Sequence, residues 1–127
     1  MVKRIVFLAM VICFAASFVS AQEAADQVPA VEMLTLKGDL IDNMCADANE
    51  MDLANFVKTH TKECATSPAC AATGYSLVVD GKAWKFDKES DYKVEEFLRD
   101  PNSKLKVIAE VRKANDILNL MAIRNQD

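Results

Sequence analysis

YSLVVDGKAWKFD, residues 75–87, is the most legible stretch of the chain. Its apolar runs, Tyr75–Val79 and Lys82–Phe86, flank Asp80-Gly81, a pair suited to the two-residue type I′ hairpin turn. Tyr75, Leu77 and Val79 share one face of the first strand. Trp84 and Phe86 share one face of the second, because side chains alternate along a strand. A tight antiparallel hairpin is therefore the seed of the fold.

Upstream, Glu32 to Met44 reads as a strand in which Leu34, Leu36 and Leu40 alternate. Gly38 inside it marks a bulge or a sharp bend. Asn49 looks like a helix N-cap, with Glu50 and Asp52 in the first turn and Lys58 and Lys62 late, as the helix dipole favours. Leu53, Phe56, Val57, His60 and Cys64 then fall on one helical face. Ser67-Pro68 starts a second short helix and Gly74 stops it. Downstream of the hairpin, Ser90 or Asp91 is the expected cap of a helix with Val94, Phe97 and Leu98 inward, ended by Pro101. Leu105, Val107, Ala109 and Val111 alternate with charged residues in a fourth strand. Ala114-Asn115-Asp116 makes a turn, and Ile117–Ile123 forms a fifth strand.

With the helical insert at 45–74 set aside, the order is β-β-β-α-β-β. That is the order of the OB-fold, a small five-stranded, partly open Greek-key barrel. The expectation is an α+β, OB-fold-like domain over residues 32–127; another small α+β sheet with the same element order stays open.

Residues 1–21, MVKRIVFLAMVICFAASFVSA, read as an address. Lys3 and Arg4 precede a run from Ile5 to Val19 broken only by Ser17, and Val19-Ser20-Ala21 suits cleavage after Ala21. The run is short of the roughly 20 apolar residues of a spanning helix. Cys13 follows bulky Ile12, which disfavours lipid attachment. Residues 22–31 are polar and Ala-rich and read as a flexible leader. The expected product is a periplasmic or secreted bacterial protein with no stable membrane anchor.

The chain has 127 residues, 15 basic and 19 acidic. Removing residues 1–21 takes away two basic residues and no acid, leaving 13 against 19, a net charge of −6. Such a surface argues against nucleic acid as a partner. The length fits one domain. Three Gly and three Pro exclude collagen-like and low-complexity chains.

After cleavage three cysteines remain, Cys45, Cys64 and Cys70, and with the single histidine they read C-x14-H-x3-C-x5-C. One disulfide among Cys45, Cys64 and Cys70, with a leftover thiol, is the first reading, since exported proteins use such staples. Spacing does not fix the pairing. A metal site is the second: Cys45, His60, Cys64 and Cys70 could supply three thiolates and an imidazole to Zn or Cu. A Cys–His dyad serving a thiol enzyme is the third, although no orienting residue or oxyanion motif accompanies it. A fourth alternative for His60 is a satisfied core histidine. Asp39, Asp42, Asp47, Glu50 and Asp52 fit no calcium loop and read as a solvated face with helix-start acids. Tyr75, Trp84 and Phe86 could stack a ligand but read first as core. The methionines are too scattered for a copper tract.

The run GDLIDNMC (residues 38–45), followed by His60, Cys64, Cys70 and the AATGYSLVVDGKAWKFD segment (71–87), resembles a loose group of small exported bacterial proteins, mostly of unknown function. Their pattern is roughly G-x-x-x-D-x-x-C, H-x-x-C-x-x-x-C, a G-x-x-x-x-L-V strand, a D-G-K hairpin and a late K-V-x-V strand. The likeness spans about residues 34–123. It implies export and an OB-like fold, and it places Cys45, His60, Cys64 and Cys70 at the group's Cys/His positions. Here the last three are spaced H-x3-C-x5-C instead. It implies no activity. Taken together, the sequence suggests an exported, non-enzymatic binding or accessory module for an unknown protein or small ligand, its insert fixed by a disulfide. A metal-binding protein is the alternative, and a thiol enzyme the third reading.

Overall fold

Gly38 governs the path of the first strand in the computed structural model, which describes residues 28–127. β1 (Glu32–Asp42) pairs antiparallel with β4 (Lys106–Ala114) from Glu32 to Asp39, and with β2 (Tyr75–Val79) from Asp39 to Asp42. The changeover falls beside Gly38. A Cβ there would collide with the backbone carbonyl of Val78 and crowd Leu77, so only glycine lets the strands approach this closely. β2 turns through Asp80 (φ 49°) and Gly81 (φ 77°) into β3 (Lys82–Lys85). Both φ values are those of the expected type I′ turn. β4 turns through Asn115 and Asp116, again at positive φ, into β5 (Ile117–Asn125).

The result is an α+β domain whose five-stranded antiparallel sheet has the order β3-β2-β1-β4-β5. The sheet is not closed into a barrel. β3 is only four residues long, and the two edges meet at a single parallel bridge, Phe86–Leu118, beside a hydrogen bond from the Asp87 N–H to the Leu118 carbonyl (2.9 Å). The expected cleavage site Ala21, the signal segment and residues 22–27 lie outside the described residues; Val28–Val31 carry no regular structure ahead of β1.

The core has two parts because the central strands are covered on both faces. On one face Leu40, Leu77, Val107, Ala109, Val111, Leu118 and Leu120 pack with Tyr75 and Phe86 and with Val94 and Leu98 of the long helix. On the other, Ile41 and Val78 pack against Ala46 and Leu53 of the insert. This explains why the 75–79 segment is almost continuously buried rather than alternating.

Three expectations need correction. β1 ends at Asp42, not Met44, because Asp42 caps the next helix, α1 (Asn43–Ala48). The single helix expected from Asn49 through Cys64 is a 3₁₀ turn (Glu50–Asp52) and two short helices, α2 (Leu53–Phe56) and α3 (Lys62–Ala65). The break falls where Thr61 adopts an extended conformation and its hydroxyl caps α3 by accepting the Cys64 N–H (3.2 Å). α4 (Pro68–Ala71) begins after Ser67 as expected, and Gly74 ends that segment at φ 81°. The long helix, α5 (Lys88–Arg99), is capped by Asp87 rather than by Ser90 or Asp91. Asp87 accepts the Ser90 N–H at 2.8 Å and the Asn119 amide at 2.7 Å. The Ser90 hydroxyl is buried and accepts the Leu120 N–H instead, while the Asp91 carboxylate accepts the Tyr75 N–H.

Candidate metal centre

Asp42 is where the sheet hands over to the insert. Its backbone is still extended, and its carboxylate is fully buried. One oxygen, Oδ1, accepts the Cys45 N–H at 2.8 Å, which fixes the first turn of α1 and aims Cys45 from its third residue. The other, Oδ2, lies 3.1 Å from His60 Nε2. His60 sits in the break between α2 and α3, its side chain 1% exposed and its ring 5.4 Å from that of Phe56. Cys64 projects from α3, and its Sγ lies 3.9 Å from Cys45 Sγ.

Asp42, Cys45, His60 and Cys64 therefore converge, each offering a donor atom within 4.8 Å of every other. This group could hold a metal ion, and it is the sole group of this kind among the described residues. Two observations fit a cation there. First, His60 Nδ1 is buried without a hydrogen-bond partner, while Nε2 is engaged with Asp42. A buried ring nitrogen with nothing to bond is costly in the bare protein and leaves the imidazole with an unused coordinating position. Second, Zn–S bonds of about 2.3 Å at tetrahedral angles put two sulfurs about 3.8 Å apart. The observed separation of 3.9 Å is close to that edge and nearly twice the roughly 2.05 Å of a disulfide.

The electrostatics of the site bear on the thiol-enzyme reading. Burial, with help from the Asp42 carboxylate and Cys64, pushes the Cys45 thiol up to about 12. A thiol held neutral is a poor nucleophile, which counts against the thiol-enzyme reading. A metal reverses that logic by taking the thiolate directly.

The structure brings three of the four expected ligands together: Cys45, His60 and Cys64. Cys70 is buried in α4 and stands outside the group; no disulfide links the three described cysteines. Asp42 takes the fourth place, a role that sequence reasoning missed. Its signal was present as Asp42-x-x-Cys45, a capping carboxylate three residues ahead of a cysteine. The other acids of that stretch disperse, with Asp39 3.6 Å from Lys106 and Asp47 3.5 Å from Lys85.

Comparison with models of known protein families, with curated proteins and with solved structures finds no match.

Proposed function

We propose that this chain is a small exported, non-enzymatic binding module with an OB-fold, whose helical insert is organised by a metal ion on Asp42, Cys45, His60 and Cys64. The convergence of Asp42, Cys45, His60 and Cys64, with donor atoms within 4.8 Å of one another, carries the reading. Two sulfurs, an imidazole and a carboxylate suit Zn2+ better than Cu(I), which favours thiolate and thioether ligands over oxygen. Four protein donors would close the coordination shell. Closed shells belong to structural sites, so the metal's role here is to pin the insert against the end of β1. The OB-fold reading is supported by β1 lying between β2 and β4 and by the parallel Phe86–Leu118 bridge between the sheet edges. Export is supported by residues 1–21 of the sequence.

A Cys45–Cys64 disulfide is the second reading, favoured by the same sulfur proximity and by an oxidising compartment. The two readings exclude each other because they use the same two atoms. Titrating the reduced, metal-free protein with ZnCl2 and following its melting temperature separates them. Under the metal reading the wild type is stabilised up to one equivalent and His60→Ala is not. Equal, weak responses of both proteins would overturn it.

A further inference from the structure

Away from the insert, the packed face of the sheet opens on a shallow cavity of about 300 Å³. Leu34 and Leu36 of β1, Val79 of β2 and Trp84 of β3 form its apolar wall. These side chains are half-buried and continuous with the main core. Two lysines overhang it. Lys82 Nζ lies 3.7 Å from the centroid of the Trp84 ring, and Lys113 Nζ lies 4.3 Å from the same centroid. Each gains a cation–π contact, and the two like charges, 3.7 and 4.3 Å from one centroid, can be no more than about 8 Å apart, within a Debye length of each other. Among the described residues neither ammonium has a carboxylate within 4.0 Å, whereas Lys85, Lys93, Arg99 and Lys106 each do. Asp80, at the hairpin turn, is the single acid lining the cavity.

We infer that this cleft binds a small free carboxylate with an apolar body, its head held between Lys82 and Lys113 and its body against Trp84, Leu34 and Leu36. The inference is independent of the metal reading, since no residue is shared. Charge complementarity selects the head group: an anion relieves the repulsion between the two ammoniums, which a neutral head does not. The rest of the chain selects against anions, with a formal net charge of −4, so anion binding here must be local. Size selects the body. The cavity is at the small end of ligand pockets, which suits a molecule of about a dozen non-hydrogen atoms rather than a membrane surface.

Trp84 is the chain's one tryptophan, so its fluorescence reports this cleft alone. The test titrates the full mature protein with decanoate and with decan-1-ol below their aggregation limits. Decanoate should give a saturable change at concentrations about tenfold lower than decanol. Lys82→Gln/Lys113→Gln should bring the two within about threefold of each other. Lys37→Gln/Lys104→Gln removes two exposed charges elsewhere and should leave the preference intact. Circular dichroism checks that each variant is folded; if the double variant is not, Lys82→Gln alone should show the reduced preference. Absence of saturation, equal affinity for the alcohol, or equal weakening by the control pair would each overturn the proposal. So would a response confined to phosphatidylglycerol vesicles, which would make the occupant a membrane.

Discussion

His60 has one nitrogen satisfied and one not, and that asymmetry makes its substitution informative. In the metal-free protein, His60→Ala removes the partner of a fully buried carboxylate, a loss of about 1.5–3 kcal/mol readable by urea unfolding. With zinc present the gap between wild type and variant should widen, because only the wild type gains binding energy. Cys45 gives a second residue-scale expectation. Its thiol lies above its ordinary value of 9.0, at about 12, so the folded protein holds that proton more tightly than the unfolded chain. The associated stability is fully present below pH 9 and is lost as pH rises toward 12. Metal-free Cys45 should also react with iodoacetamide at pH 8 more slowly than a free cysteine, as peptide mapping would show. Fast labelling would revive the thiol-enzyme reading.

At the scale of elements, the turns and the caps carry the clearest consequences. Asp87→Ala removes the α5 cap and the tie to Asn119, and should cost about 1–2 kcal/mol. Burial raises the Asp87 carboxyl, but hydrogen bonds from Ser90 and Asn119 and the charge of Lys93 outweigh it and hold it below 3.8. Its contribution is thus present above pH 3.8 and fades as pH falls through the lower folded value. The Asp87→Ala penalty should shrink accordingly in acid unfolding curves. Gly38→Ala sets a Cβ against a backbone carbonyl that cannot rotate away, and should cost about 2 kcal/mol or more. The hairpin was legible because Asp80-Gly81 is a local signal, decided by φ alone. Gly38 was legible for a different reason: a glycine inside a strand pattern marks a bend or a close backbone approach. The broken helix was not: Leu53, Phe56, Val57, His60 and Cys64 keep helical spacing, yet the Thr61 hydroxyl competes for the Cys64 N–H and starts a new helix. The α5 cap was misplaced because Ser90, a good cap by type, is held by Leu120 on a strand 30 residues away.

For the whole molecule, size and topology set the need for a staple. About 100 described residues fold on an open sheet whose edges meet at one bridge, and α1 and α2 of the insert cover its second face. Such an insert buries little by itself, so a cross-link between β1 and α3 has a large lever on stability. Under the metal reading, chelation should lower the melting temperature by about 5 °C or more and open residues 43–74 to proteolysis first. The element order followed from periodicity, so the α+β class was readable in advance. The ligand set was only partly so. Cys45, His60 and Cys64 share the insert and were found by residue type, whereas Asp42 looked like one acid among five until the end of β1 placed it against His60.

Native mass spectrometry of the chain without residues 1–21, purified without chelator and paired with a thiol count, tests the proposal of a metal-organised insert most directly. The expected result is one zinc per chain, three free thiols after denaturation, and loss of the metal in His60→Ala. A metal-free chain two hydrogens lighter, with the bond mapped to Cys45 and Cys64, would contradict it.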